Sequence, residues 1–275
     1  MKTLWPNLNA MIDLGEITVS FADQGSRQAD EILLFVHGFP LDHSMWRGQL
    51  NDLADDFRCV APDLRGFGGT SVVAGTVTME QLASDLDRLL QELRIDDPVT
   101  LCGLSMGGYV AWEMWRRNAD RLRRLILCDT RAQADSVEVA RGRQLMAQQV
   151  ERDGMQGVSD TMIPKLFAAD SLEQQADVVN STRSLIDRMD PQGVAAAQRG
   201  MAERRDFSNR LNEMELPILA VCGRQDAITT CAEMRSMAER LPNGHFVEID
   251  SAGHLAPLEQ PAAVNAAIRE FVKTT

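Results

Sequence analysis

Residues 98 to 115 constrain the fold more than any other stretch. Pro98-Val99-Thr100-Leu101-Cys102 is an apolar run of strand length, Gly103-Leu104-Ser105-Met106-Gly107 follows it, and Gly108-Tyr109-Val110-Ala111-Trp112-Glu113-Met114-Trp115 reads as a helix. A strand that passes straight into a helix through a serine flanked by glycines needs a sharp, strained turn. Only small residues fit where the chain doubles back. Such a turn sets the serine hydroxyl at the carboxyl edge of a sheet. It also aims the first N–H groups of the helix, and the positive end of its dipole, at negative charge developing there. Ser105 is therefore a candidate nucleophile, provided the chain also supplies a base, an acid and donors for an oxyanion.

Strand-like runs and amphipathic helices alternate on either side of this unit. Glu31 to Val36 and Phe57 to Ala61 have the unbroken apolar character of buried strands. Thr78 opens a helix in which Met79, Leu82, Ala83, Leu86, Leu89, Leu90 and Leu93 recur at three-and-four spacing, with Thr78 and Gln81 in a capping-box pattern. Leu122 to Cys128 is a further strand, ending at Asp129. From Arg131 to about Glu215 helical patterns run on without a convincing strand, cut by turn signals at Asp153-Gly154, Asp190-Pro191 and Gln192-Gly193. Alternation then resumes: a strand from Leu216 to Val221, a helix from Thr230 to Leu241, a strand from His245 to Asp250 and a helix from Pro261 to Val272. This order predicts an α/β fold with a mostly parallel sheet flanked by helices. The expected organisation is an α/β core of residues 1–130 and 216–275, with a helical cap of residues 131–215 inserted at the carboxyl edge to shape a pocket.

Bulk properties narrow the function classes. A net charge of −12 disfavours nucleic acid and anionic membrane as partners. No apolar run reaches transmembrane length, and Met1 to Pro6 lacks the apolar core and cleavage site of a signal peptide. Of the five cysteines, Cys59, Cys102, Cys128 and Cys222 lie in strand-like runs and Cys231 begins a helix, with no Cys-x-x-Cys among them. Free thiols in a reducing cytoplasm are the expectation. Arg65-Gly66-Phe67-Gly68-Gly69 lacks the Gly-Lys-Ser/Thr ending of a phosphate loop. No metal cluster and no second glycine fingerprint for a nicotinamide or flavin is present, so neither metal nor cofactor is expected.

Four histidines keep the search for a base short. His43 and His245 have exposed or structural readings. His37 and His254 each follow a strand, on loops at the carboxyl edge where a base must lie to reach Ser105. His254 is assigned as base because it completes the chain order Ser…Asp…His. His37 is read as a residue that holds its turn through hydrogen bonds. Asp226, in Gly223-Arg224-Gln225-Asp226 after a strand, is the expected acid; its competing reading is an Asx turn before Thr229. Asp129, which also ends a strand, is the rival. The backbone N–H groups of Met106 and Phe39 are the expected oxyanion donors.

His37-Gly38-Phe39-Pro40, Asp63-Leu64-Arg65-Gly66-Phe67-Gly68, the Ser105 turn, Gly223-Arg224-Gln225-Asp226 and Gly253-His254 fall in the order of the α/β-hydrolase fold superfamily. The chain resembles that superfamily over nearly its whole length. The likeness is nearest to its branch of small esterases, 3-oxoadipate enol-lactone hydrolases and cofactor-free haloperoxidases. Serine in the turn argues against a haloalkane dehalogenase, whose corresponding turn carries an aspartate. The resemblance implies a serine hydrolase, a carboxylesterase acting on small to medium esters or lactones through an acyl-enzyme. Perhydrolysis, carbon–carbon bond hydrolysis of ring-cleavage products and a non-catalytic ligand receptor are alternatives on the same fold. Turnover of a simple ester separates the receptor from the enzymes.

Substrate choice is expected to lie with the insertion. Met162, Ile163, Leu166, Phe167 and Leu185 offer an apolar ceiling, with Trp46, Phe39 and Ile228 at the rim; the competing reading for each is core. Arg131 and Lys165 are the cations available to pair with a substrate carboxylate.

Overall fold

A computed structural model of the protein describes residues 9–275; the N-terminal segment read above for a leader lies outside them. The strands are β1 (Asn9–Asp13), β2 (Thr18–Gln24), β3 (Ile32–Val36), β4 (Arg58–Pro62), β5 (Val99–Leu104), β6 (Leu122–Cys128), β7 (Ile218–Gly223) and β8 (Gly244–Ile249). They form an eight-stranded sheet in the order β1-β2-β4-β3-β5-β6-β7-β8. The β1–β2 and β2–β4 pairings are antiparallel, and every pairing from β4 to β8 is parallel. β5 and β7 are buried at every position, because helices cover both faces of a parallel sheet and leave no side polar. β8 closes one edge and is correspondingly mixed.

The apolar patterns mark no element before residue 31, yet β1 and β2 lie there. Val19 and Phe21 are buried, but so are Ser20 and Ala22 on the opposite face. The loop after β4 covers that face: Ser20 donates its N–H to Thr70 Oγ1 at 2.9 Å and Ser71 donates its N–H to Thr18 O at 3.0 Å. A strand buried on both sides by a polar loop lacks the in–out alternation that would announce it.

The flanking helices include α1 (Arg47–Leu53), α2 (Met79–Glu92) and α3 (Met106–Asn118), followed after the insertion by α9 (Cys231–Glu239), α10 (Ala256–Glu259) and α11 (Pro261–Thr274). Thr78 caps α2 by accepting the Gln81 N–H at 3.1 Å, and Thr230 with Glu233 makes a full capping box on α9. Between β6 and β7 lie α4 (Val137–Asp153), α5 (Val158–Leu166), α6 (Ala169–Gln174), α7 (Ala176–Asp187) and α8 (Pro191–Ala202), with no strand among the described residues. Gly154 ends α4, and Asp190 caps α8 with Pro191 in its first turn. Gln192-Gly193, expected as a turn, lies inside α8 instead. A Cβ at Gly193 would stand 2.0 Å from Gly66 O, and one at Gly200 1.7 Å from Val77 O. Both glycines let α8 lie directly on the backbone of the core. No helix among the described residues is long and apolar enough to cross a membrane.

Candidate active site

Ser105 sits between β5 and α3 with φ 52° and ψ −108°. Such a conformation costs a non-glycine residue about 1–3 kcal/mol, so the surroundings must impose it. They do so from both sides. The Ser105 N–H donates to Cys128 O at 2.9 Å, and Ser105 O accepts from the Gly108 N–H at 2.9 Å and from the Thr130 hydroxyl at 2.7 Å. The flanking glycines are dictated by close backbones: a Cβ at Gly103 would lie 2.5 Å from Gly107 O, and one at Gly107 2.2 Å from Val36 O.

The loop after β3 passes beside this turn. A Cβ built on Gly38 would be 3.6 Å from Ser105 Cβ, so the backbone entering Phe39 runs along the serine. Met106 occupies the first position of α3, where its N–H has no helical carbonyl to reach. His37 holds this loop. Its Nε2 accepts the Leu64 N–H at 2.9 Å, which leaves Nδ1 protonated and donating to Gly38 O at 2.9 Å. Burial pushes the His37 pKa down and keeps the ring neutral. His43 supports the same loop through Asp63, with Nδ1 and Oδ1 2.6 Å apart. Burial opposes its charge, but the hydrogen bond and charge of Asp63 outweigh burial and raise the His43 pKa.

On the loops after β7 and β8, His254 Nδ1 lies 2.8 Å from Asp226 Oδ2, with both side chains buried. The Asx-turn reading of Asp226 holds as well, through the other oxygen. Oδ1 accepts the N–H groups of Ile228 at 2.7 Å and Thr229 at 3.0 Å. One carboxylate thus orders its own loop and meets the imidazole. The two loops approach closely because Gly223 has no side chain; a Cβ there would lie 2.0 Å from Gly253 O.

Asp129 is fully buried. Its Oδ1 accepts the Gly223 N–H at 2.8 Å, while Oδ2 has no hydrogen-bond partner among the described residues. Burial, with the charge of Asp226 added, pushes this carboxyl well above the usual carboxylate range. Asp129 thus meets a backbone amide, whereas Asp226 meets the imidazole. Glu259 was not singled out from the sequence. It is buried, with its carboxylate against the backbone on both sides of His254. Its position in Pro257-Leu258-Glu259, an acid in an otherwise apolar stretch, is the signal that could have marked it.

A family profile described as the alpha/beta hydrolase fold matches residues 31–261. The chain belongs to the alpha/beta hydrolase fold family. It is similar to 3-oxoadipate enol-lactonase 2 of Acinetobacter baylyi, with 27% identity over 259 residues that cover 94% of each chain. Among solved structures, a thermophilic esterase from Thermogutta terrifontis with malate bound superposes with a TM-score of 0.93. It is 42% identical and covers 97% of this chain and 98% of its own. The enol-lactonase from Burkholderia xenovorans LB400 superposes at 0.88 with 28% identity, over 96% and 100% of the two chains. The chain is a hydrolase of this fold, related to esterases and lactonases.

Within this hydrolase the residues expected around a substrate part company. Trp46 is completely buried, its ring tilted 41° against that of Phe35 with 5.1 Å between centroids, as in a core packing contact. Phe39 is half-buried with its ring edge on Phe67, 6.1 Å away. Ile228, two residues after Asp226, is exposed. Ile163, Leu166, Phe167 and Leu185 are buried and Met162 is half-buried. Arg131 is not a free cation: Nη2 donates to Ile228 O and to Thr229 Oγ1 at 3.3 Å, tying the end of β6 to the Asp226 loop. Lys165 is exposed on the last turn of α5.

Proposed function

We propose that this hydrolase is a serine esterase taking small to medium carboxylic esters and lactones, with Ser105 as nucleophile, His254 as general base and Asp226 as the acid that orients it. The single observation that carries the reading is the 2.8 Å link between His254 Nδ1 and Asp226 Oδ2, on loops at the sheet edge that also presents Ser105 in a strained turn. With Asp226 accepting the Nδ1 proton, Nε2 keeps its lone pair for the serine. His254 takes the proton of Ser105 Oγ as that oxygen attacks the ester carbonyl. The N–H groups of Phe39 and Met106 receive the oxyanion; a donor of this kind lowers the barrier by about 3 kcal/mol. His254 then protonates the departing alcohol, leaving an acyl-enzyme. A water deprotonated by His254 attacks the acyl carbon, and the acid leaves as the serine regains its proton. No group beyond these side chains, backbone amides and water enters the sequence of steps.

The inserted helices α4 to α8 serve as the cap over this edge and set which acyl groups fit, as the close seating of α8 on Gly66 and Val77 supports. A lactone-cleaving variant of the same chemistry is favoured by the likeness to two enol-lactonases, each over more than nine-tenths of this chain. The test is turnover of p-nitrophenyl esters and of lactones graded in acyl length, by wild type and by Ser105→Ala. The variant is expected to lose about 10⁴-fold or more in kcat with its fold intact. A fluorophosphonate is expected to label Ser105. Residual turnover near wild type, or labelling at a cysteine, overturns the mechanism.

A further inference from the structure

Glu259, in α10, joins the His254 loop to the inserted helices. Its Oε1 accepts the N–H of Gly253 at 2.8 Å and that of Leu255 at 3.3 Å. These residues are the immediate neighbours of His254, so one oxygen holds the backbone before and after the imidazole. Its Oε2 accepts the N–H of Ala168 at 2.8 Å, where α5 gives way to α6. The seam continues on either side. The Leu255 N–H also reaches Leu166 O at 3.2 Å, and Gln175 Nε2 donates to Glu259 O at 3.1 Å. The two backbones are in direct contact, since a Cβ on Gly253 would lie 2.5 Å from Ala168 N. Burial raises the Glu259 pKa, and the Ser171 hydroxyl with the N–H groups of Ala168, Gly253 and Leu255 opposes that rise, as expected of a buried carboxyl group held by hydrogen bonds.

We propose that Glu259 is a positioning residue for His254, and that Leu166, Phe167 and Ala168 of the insertion are part of the support of the base, so that the insertion governs the chemical step as well as the shape of the pocket. The inference rests on the reading of His254 as base. A base must sit within hydrogen-bond reach of the proton it takes, and a misplacement of about 1 Å can cost about 100-fold in rate. A cap that only enclosed substrate would not need its backbone hydrogen-bonded to the residues on either side of the imidazole.

Two variants test this. Ala168→Pro removes the N–H that Glu259 accepts. Ala168 has φ −61° and ψ 152°, and Phe167 before it has φ −109° and ψ 148°, values that proline and its predecessor adopt without strain. Glu259→Gln keeps the volume and turns one acceptor into a donor facing an N–H. The measurements are kcat and KM for a short-chain and a longer-chain p-nitrophenyl ester, normalised to active sites titrated with a fluorophosphonate, with Tm recorded. Each variant is expected to lower kcat about ten- to 100-fold by the same factor on both esters, with KM little changed, and the double variant to fall little beyond the worse single one. Unchanged kcat per active site in Ala168→Pro, a change confined to KM, or a shift in preference between the esters overturns the proposal. Wild-type turnover abolished by Ser105→Ala is the separate control on the reaction itself.

Discussion

Replacing Asp226 by asparagine should be far more damaging than the same change at Asp129, and the hydrogen bonds of the two carboxyl groups give the reason. In Asp226→Asn the side-chain oxygen is pinned toward the N–H groups of Ile228 and Thr229, at 2.7 and 3.0 Å, because turning the amide would set two donors against a third. The new NH₂ must then take the place of Oδ2, 2.8 Å from His254 Nδ1. A donor at that position requires Nδ1 to present its lone pair, which moves the proton to Nε2. A ring in that tautomer cannot accept the serine proton. Loss of tautomer control in such a triad costs about 10⁴-fold in kcat, equivalent to about 5.5 kcal/mol of barrier. Asp129→Asn leaves an acceptor for the Gly223 N–H, and the atom replaced is Oδ2, which has no partner among the described residues, so kcat should stay within about tenfold of wild type. The assay is kcat and KM on a p-nitrophenyl ester for both variants at equal active-site concentration, with thermal melts to verify folding. If Asp129→Asn proves the more severe, or if Asp226→Asn keeps a tenth or more of wild-type kcat, the assignment of the acid is refuted.

The pH dependence of stability gives Asp129 a separate test. A carboxyl whose pKa is raised in the folded state holds its proton where the unfolded chain, near its ordinary value of 3.8, has lost it. Stability therefore falls as pH rises from that value toward the folded pKa, by up to about 1.4 kcal/mol per pH unit. Urea melts should show Asp129→Asn gaining on wild type across that window; parallel stability curves would contradict the burial argument. Gly107→Ala places a Cβ 2.2 Å from Val36 O, backbone against backbone, and should cost about 1–3 kcal/mol or more, read as a lowered Tm. An unchanged Tm would show that the turn relaxes freely. Met162→Ala, at a half-buried position of α5, should change the ratio of kcat/KM between long and short acyl esters by about tenfold, whereas an equal fall for all esters would remove it from the pocket.

Local and periodic features were legible in the chain itself. The run from Pro98 to Trp115 reads as strand, tight turn and helix, because the apolar run, the paired glycines and the helical pattern lie within one contiguous stretch, and the structure has β5 and α3 there. The alternation of strands and helices on each side of it implied a parallel sheet, and hence a carboxyl edge at which the loops carrying His37, Ser105, Asp226 and His254 would gather. Chain order then ranked Asp226 above Asp129, and the structure brings Asp226 to His254.

What only the tertiary structure decided was which groups meet across long separations. Composition gave no reason to bury Trp46 against Phe35 or to set Arg131 on the Ile228 carbonyl. Gly193 reads as a turn until Gly66 is seen pressed against it within a helix. β2 went unmarked because a loop some fifty residues on covers its second face. Nothing in the local sequence places the oxygens of Glu259 on Gly253, Leu255 and Ala168. Spacing and periodicity report what a residue does with its chain neighbours, since those are fixed by the geometry of a helix or a strand. The partner of a buried carboxylate or the cover of a strand is set by how distant segments close-pack, and that is a property of the assembled fold alone.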